Sequence, residues 1–405
     1  ALYWRTAAER SVTEQAAPAD VFPAGHWRRD PSAPWTTDGD LERVLSLPYL
    51  QGKVEAGHSM GVIVHDAARA QPGLNLYCSG HAPEAVLMDM DGEILHRWRL
   101  RFEDAFPDQE PDSGSLYFRR VAVDESGNLT VLFHGWGLAR IDRDSKLLWS
   151  VPLAVFNDFY VTDDDHILVV HKRAAVVPEV DPNEPVLEDF VVELSPTGEE
   201  IARWSLLGLL GDSEFAGLLE SMEKQSDILH GNTVTRLDDS PFEEGIFQPG
   251  HILFSLREID TIGVFDPVAE GVVWAASGDW RKQHEPVLLD SGRVLLFDNK
   301  GRSDGAARVF ELDPETNEIG WSWGDGDDQR MFSPEGGSVA RLANGNTLIT
   351  ASESGRALEV APDGTVVWEF LTPHRAGPNN ELVAALWEVL RLDESAALWL
   401  GGDDR

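Results

Sequence analysis

The stretch from Ile228 to Asn299 constrains the fold more than any other, because it contains the same pattern twice in direct succession. The first copy begins HGNTV at His230, passes a Pro-Gly turn into the apolar run HILFSLR, and ends near Trp274. The second begins HEPVLL at His284 and passes a Ser-Gly turn into VLLFDN. Short apolar runs between Gly, Pro and Asp turns are typical of β-strands, and a repeated pattern indicates a repeat architecture.

Weaker copies of this pattern extend over most of the chain, making six units spaced about 45 to 70 residues apart. Each unit ends in a tryptophan: Trp98, Trp149, Trp204, Trp274, Trp321 and Trp368. This period is typical of four-stranded β-propeller blades. A single sheet cannot bury both of its faces, whereas sheets stacked in a ring can. We therefore predict an all-β fold, a six-bladed β-propeller, in which the tryptophans pack between adjacent blades.

The segments outside the repeats give the domain organisation. Residues 1–54 lack a hydrophobic period and predict an N-terminal extended arm or linker, with a short helix at 41–47. The propeller is expected over 55–375, with one or two short helices inserted at 206–223. Residues 376–405 predict a C-terminal helical extension, because apolar residues follow a helical stripe over 380–392.

Charge and cysteine content exclude several classes of function. The net charge of −37 repels phosphate backbones and anionic lipid head groups, so nucleic-acid binding is not expected. Cys78 is the only cysteine, which excludes intrachain disulfides and thiolate metal clusters.

The opening ALYWR resembles the end of a signal sequence or anchor helix. We therefore expect a periplasmic or extracellular protein, with a membrane tether or a membrane-protein partner engaged through the N-terminal arm.

Polar residues at the heads of the units are the candidate site. The innermost strand of each blade lines the central channel, so the blade heads converge on one axis. The heads are Asn157-Asp158, His230 with Asn232, His284, and Gly336-Gly337-Ser338. Arg257 and Asn299 end the strands that follow the two histidines. Two imidazoles, an amide and a guanidinium suit a tetrahedral oxyanion. A histidine at a strand start can also make a purely structural hydrogen bond, but its recurrence at equivalent positions favours a site.

These residues also carry a family resemblance. Units four to six resemble the bacterial arylsulfotransferases, PAPS-independent enzymes built on a six-bladed propeller, in the segments HGNTV, ILFSLRE, QHEPVLL and GGSVARLANGNTLITASESGRALEVAPDGTVVWEF. The first unit, GVIVHDAARAQPGLNLYCSG, is similar to the same family, so that the likeness spans residues 61–370. The resemblance implies transfer of a sulfuryl group from an aryl sulfate to a phenol through a sulfated histidine.

The resemblance also implies roles for individual residues. His284 occupies the position of the histidine that takes the sulfuryl group, and a protonated His230 assists it. Anion-binding candidates are Asn232, Arg257, Arg308 and Asn299. The third unit departs from the family, which tends to place a further histidine where this chain has Asn157-Asp158. An aspartate near the axis is expected to repel a sulfate.

One alternative function and one alternative ion remain open at this point. The competing function is a non-catalytic propeller that serves as a binding or assembly subunit of an envelope or membrane-associated complex. No cofactor is expected. The acidic runs at 163–165 and 325–328 could hold a structural Ca²⁺, although they lack the alternation of a calcium loop and are more typical of solvated turns.

Overall fold

The computed structural model describes residues 27–29, 59–112, 116–223, 225–376, 380 and 382–401. Within them the chain forms a six-bladed β-propeller, which confirms the predicted fold. The helix predicted at 41–47 and most of the N-terminal arm lie outside the described residues.

Blades two to five are each built from four consecutive antiparallel strands. Blade two contains Arg120–Val123, Leu129–Phe133, Gly137–Ile141 and Leu147–Val151. Blade three contains Val155–Val161, Ile167–Ala175, Val186–Leu194 and Glu200–Ser205. Blade four contains Gly231–Arg236, Ile252–Leu256, Thr261–Asp266 and Gly271–Ser277. Blade five contains His284–Leu288, Val294–Asp298, Arg308–Leu312 and Ile319–Trp323. Second strands such as Val294–Asp298 are buried along their whole length, because a neighbouring blade covers each face.

The ring is closed by strands from both ends of the described chain. Blade six contains Ser338–Arg341, Thr347–Ala351, Arg356–Val360, Val366–Leu371 and, at its outer edge, Gly61–His65. Blade one contains Leu74–Ser79, Glu84–Met88, Ile94–Arg99 and, at its inner edge, Leu386–Leu392. Leu386–Leu392 pairs antiparallel with Leu74–Ser79, so the inner strand of blade one comes from the end of the described chain and its other three strands from near the beginning.

This closure shows that the helix predicted over 380–392 is wrong. The segment forms the strands Leu382–Ala384 and Leu386–Leu392, and the propeller extends past the predicted boundary at 375. Its apolar spacing also fits a helix, but every residue from Leu382 to Val389 is buried. Continuous burial is typical of a central strand covered on both faces rather than of an amphipathic helix.

Short elements decorate the ring. Arg375–Ala376 and Leu382–Ala384 form a three-stranded sheet with Trp27–Arg29. The insertion after blade three contains the helix Leu206–Gly211 and the 3₁₀ turn Ala216–Ser221, which confirms the helices predicted there. The remaining helical elements are Phe102–Ala105, Asp327–Gln329, Ser352–Ser354 and Glu394–Gly401. Of the helices described, none has the length and apolar character needed to cross a membrane.

The tryptophans pack between blades, as predicted. Four of them donate an indole N–H to a turn carbonyl of the following blade: Trp98 to Gly127 at 3.0 Å, Trp274 to Pro314 at 3.2 Å, Trp323 to Gly364 at 3.2 Å, and Trp368 to Met90 at 2.9 Å. In blade five this residue is Trp323, which is 2% exposed, rather than the expected Trp321. The buried N–H is paired in each case, so these indoles serve packing.

Candidate active site

Hydrogen bonds between neighbouring blades bring the predicted heads together. The Asn157 side-chain amide of blade three donates to the Gly231 carbonyl of blade four at 3.1 Å. The backbone N–H of Glu285, in blade five, donates to Thr233 Oγ1 at 3.0 Å. The heads of blades three, four and five therefore form one connected surface near the axis.

The backbone at these heads is strained. Asn157, His230, Lys282 and Glu285 all have left-handed conformations, with φ of 63°, 53°, 57° and 50°. Such conformations are uncommon for residues other than glycine and cost about 1 kcal/mol or more each. Strain of this kind often occurs where the surrounding structure holds a functional site in place.

His284 lies at this surface with its tautomer fixed by its neighbours. Its ring is 3% exposed, and Nδ1 lies 2.8 Å from Asn299 Oδ1 and 3.1 Å from the Lys282 carbonyl. The Asn299 amide nitrogen donates to the carbonyls of Ser333 at 2.5 Å and Gly336 at 2.6 Å. This orients the amide with its oxygen towards the ring, so Nδ1 must carry the proton and Nε2 the lone pair. No hydrogen-bond partner for Nε2 is found among the described residues.

The surroundings also keep His284 uncharged. Burial, and after it the charge of Arg257, lowers the pKa of His284 well below its usual value, against the pull of Asn299. Arg119 and His230 act in the same direction. A neutral imidazole whose lone pair makes no hydrogen bond is the nucleophilic form of histidine.

His230 has a different partner. Its Nδ1 lies 2.6 Å from Asp227 Oδ2, and its Nε2 lies 3.3 Å from the Asn157 side-chain nitrogen. Asp227 also accepts from Lys172 Nζ through both oxygens, each at 2.7 Å. Burial, and after it the charge of Lys172, lowers the pKa of His230 to about 4 against the pull of Asp227. The resting ring is therefore neutral, unlike the protonated form expected from the sequence, and Asp227 is placed to stabilise the imidazolium once a proton arrives.

Arg257 and Asn232 are at the site, but their donors are partly in use. Arg257 forms an ion pair with Glu258, which also accepts from Lys282 Nζ at 2.8 Å. Its charge still lowers the pKa of both His230 and His284. The Asn232 amide donates to the Gln283 carbonyl at 2.7 Å, and so fixes the peptide that leads into His284.

The structure does not bring Arg308 to the two imidazoles. Arg308 begins the third strand of blade five, where Nε donates to Asp298 at 2.9 Å and Nη2 to the Asp279 carbonyl at 2.7 Å. Asn299 does lie at the site, where its amide orients His284 as described above. The sequence pattern therefore located Asn299 correctly without indicating this role.

Below the histidines, four charged residues from four blades form an axial ion cluster: Arg120, Asp158, Glu285 and Glu388. Arg120 donates to both oxygens of Glu285, at 2.8 and 2.6 Å, and lies 2.7 Å from Asp158 and 3.3 Å from Glu388. Asp158 also accepts from the Val234 N–H at 2.8 Å. These donors offset the repulsion that was expected between Asp158 and a bound sulfate.

The axial ion cluster carries more acid than base, and this changes its protonation. Burial raises the pKa of Asp158 to about 7; Arg120 opposes this rise and the charge of Glu285 adds to it. Burial likewise raises the pKa of Glu388 to about 7, against Arg120 and with the charges of Glu285 and Asp158. One proton is therefore shared within the axial ion cluster near neutral pH.

At the other end of the inner strands lies a cavity of about 710 Å³. Arg120 and Glu388 line it, and acidic side chains surround it: Asp124, Glu125, Asp163 and Asp165. Two of these acids are paired, since Arg140 donates to Asp124 at 2.7 Å and to Asp165 at 2.8 Å. In the part of the chain that the structure describes, no group of three His, Cys, Asp or Glu side chains is arranged to hold a metal ion.

Sequence reasoning missed several residues of this site. Asp227 stands three positions before His230, so the short spacing alone could have suggested it. Lys172 and Arg120 come from blades three and two, and no local pattern connects either of them with a histidine. Glu388 was assigned to a helix, which hid its place on an inner strand.

Comparison with solved structures finds other chains of similar shape. One is a protein of unknown function from Bacteroides caccae, with 15% identity, coverage of 78% of this chain and 99% of that one, and a TM-score of 0.49. A streptogramin B lyase shows 9% identity, coverage of 82% and 98%, and a TM-score of 0.45. Apo AztD from Citrobacter koseri shows 10% identity, coverage of 78% and 99%, and a TM-score of 0.41.

Sequence comparison gives the family. No curated protein matches the chain. The family model described as arylsulfotransferase (ASST) matches residues 115–374, which is more than half of the chain and includes both histidine heads. The chain therefore belongs to the arylsulfotransferase family.

Proposed function

We propose that this propeller transfers a sulfuryl group from an aryl sulfate to a phenol, with His284 as the nucleophile that carries the group. Membership of the arylsulfotransferase family suggests small-molecule aryl substrates. The observation that carries the proposal is the fixed tautomer of His284. Asn299, held by two backbone carbonyls, leaves the lone pair of His284 on Nε2, where no described residue bonds to it.

In the first half-reaction, Nε2 of His284 attacks the sulfur of the donor. An N–S bond forms while the ester S–O bond breaks, and its electron pair leaves with the aryl oxygen as a phenolate. The Nδ1–H of His284 stays bonded to Asn299, which stabilises the positive charge that develops on the ring. Arg257, whose charge reaches both imidazoles, stabilises the negative charge on the sulfuryl oxygens.

In the second half-reaction, the acceptor phenol attacks the sulfur and the N–S bond breaks. The phenol gives its proton to Nε2 of His230, and Asp227, 2.6 Å from Nδ1, stabilises the imidazolium. That proton passes to the phenolate released in the first step, so the reaction is balanced. The neutral resting state of His230 suits this role, because only a neutral imidazole can accept the proton.

The test is to incubate the protein with 4-nitrophenyl sulfate and measure its intact mass. We expect an increase equal to one sulfuryl group, lost on addition of a phenol and absent in His284→Gln. His65→Gln is the matched control, because His65 lies on the outermost strand of blade six, away from the axis. It should form the adduct as the unchanged protein does.

The same experiment contains the outcome that would contradict the proposal. If no adduct and no 4-nitrophenol appear with a folded protein, the propeller is not a sulfotransferase of this kind. A binding or assembly role would then take its place, and purification of the protein in a larger complex would support it.

A further inference from the structure

Arg119 directly precedes the inner strand of blade two, and its guanidinium is held against an aromatic side chain of blade one. The guanidinium carbon lies 4.4 Å from the centre of the Trp387 ring, which Tyr117 also stacks on at 5.4 Å. Arg119 is 7% exposed. An arginine stacked on a buried indole has a fixed orientation, so little entropy is lost when a ligand binds to it.

What distinguishes Arg119 is the absence of a counter-ion. Among the described residues, no carboxylate lies within ion-pairing distance of its guanidinium, and no hydrogen bond from its side chain is found. Its sequence neighbour Arg120 has three carboxylates, and Arg257 has Glu258. Burial, the largest influence, lowers the pKa of Arg119; the charge of Arg120 acts in the same direction, and the longer-range charge of Glu353 opposes it. Burying an unpaired charge is costly, so this position lacks a partner that an anionic ligand could supply.

Arg119 also lies within electrostatic reach of the proposed nucleophile. Its charge is among those that act on His284. The next residue, Arg120, donates to Glu285, which directly follows His284. Blades two and five are thus linked across the axis immediately beside Arg119.

We propose that Arg119 binds the tetrahedral anionic group of the substrate, the sulfuryl oxygens of an aryl sulfate, and is the dominant anion-binding charge of this site. The inference rests on the proposed function for the identity of the substrate. The planar guanidinium offers paired N–H donors that match two oxygens of a tetrahedral anion. Arg257 contributes less affinity, because Glu258 already neutralises it.

The test is calorimetric binding of benzenesulfonate and of inorganic sulfate, neither of which can donate a sulfuryl group. Arg119→Gln should weaken both probes by about tenfold to a hundredfold, as expected for lost hydrogen bonds to a charged group. Arg257→Gln should weaken them less than fivefold. Arg101→Gln is the matched control, because it removes an exposed guanidinium far from the axis, and it should leave both affinities unchanged.

Thermal unfolding separates ligand binding from a merely structural role. Removal of a buried charge without a counter-ion breaks no ion pair, and this offsets the lost contact with Trp387, so Arg119→Gln should melt at nearly the same temperature as the unchanged protein. A structural arginine would give the reverse pattern, with a lower melting temperature and unchanged affinity. If Arg119→Gln does not fold, Arg119→Lys, which keeps the charge but not the paired donors, should fold and still bind both probes several-fold more weakly.

The inference is overturned if Arg119→Gln binds benzenesulfonate within twofold of the unchanged protein, or if the unchanged protein binds neither probe. These results are independent of the sulfuryl adduct on His284. An adduct together with normal binding by Arg119→Gln would retain the transferase and reject Arg119. Lost binding without any adduct would retain the anion site and reject the transferase.

Discussion

His230 and His284 lie at the heads of adjacent blades, but the strand register aligns His230 with Lys282 and His284 with Asn232, and the surroundings of the two rings differ in one decisive respect. Nδ1 of His284 faces the neutral amide of Asn299, whereas Nδ1 of His230 faces the carboxylate of Asp227. His284 is almost fully buried, while 27% of the His230 side chain is exposed. In the proposed mechanism these two histidines therefore serve different chemistry: the amide partner leaves His284 a nucleophile with a fixed lone pair, and the carboxylate partner makes His230 a base.

Replacing each histidine in turn is the most direct test of whether the two have different roles. His284→Gln should abolish both the sulfuryl adduct and turnover, because it removes the proposed nucleophile. His230→Gln should still form the adduct but transfer the group to phenol about 10² to 10⁴ times more slowly, as expected for a lost general base. Single-turnover kinetics with 4-nitrophenyl sulfate measure both steps. Equal losses in both variants would mean that the two histidines do not have separate roles.

Changing the partner of His230 gives a smaller effect. Asp227→Asn converts its carboxylate into an amide, like the partner of His284, and should slow the second half-reaction roughly tenfold to a hundredfold. It should also destabilise the fold by about 3 kcal/mol, since Lys172, 1% exposed, loses its closest carboxylate. Urea unfolding measures the stability. Asp212→Asn, at an exposed helix end, is the control and should change neither quantity.

The axial ion cluster includes Glu285, the residue after His284, and among the described residues it makes no hydrogen bond or ion pair with His230. Changing the cluster therefore tests the surroundings of His284 alone. Glu388 has a folded pKa of about 7, above its unfolded value, and its contribution to stability is present at low pH and lost as pH rises through 7. Glu388→Gln removes that loss. As pH rises from 5 to 8, the unfolding free energy of the Glu388→Gln variant should therefore increase by about 2 to 3 kcal/mol relative to that of the unchanged protein. A difference that does not vary with pH would contradict the shared proton.

The smallest effect concerns His230 itself. Its folded pKa is lowered to about 4, so its contribution to stability is complete above the unfolded value near 6.5 and is lost as pH falls through 4. Relative to His230→Gln, the unchanged protein should lose about 1 to 2 kcal/mol of unfolding free energy between pH 7 and 5. Histidine ring NMR should show the ring neutral at pH 6. A ring that is protonated at pH 6 would restore the charged form expected from the sequence.

The architecture was predictable because its signals repeat. Six copies of one strand pattern, each with a terminal tryptophan, indicate a propeller even where single copies such as that around Trp149 are weak. The closing strand was not predictable in this way. Leu386–Leu392 lacks the turn-and-tryptophan context of a full unit, and its apolar spacing fits a helix equally well.

The residues of the candidate site likewise fall into those that the repeats indicate and those that they do not. His230, His284 and Asn299 were found because each stands at the head of a unit or at the end of the strand that follows it. Arg308 was assigned to the site because it begins a strand, but that strand is the third of its blade, where side chains pair with Asp298 instead of facing the axis. Lys172 and Glu388 act across blades, and contacts of that kind depend on how the ring closes rather than on local sequence.

Closure of the ring by Leu386–Leu392 has a consequence for synthesis of the protein. This strand brings Glu388 to Arg120 and Trp387 to Arg119, so these two contacts cannot form until residue 392 has left the ribosome. A growing chain can therefore stack blades two to six one after another, yet the ring stays open until its last strand is made.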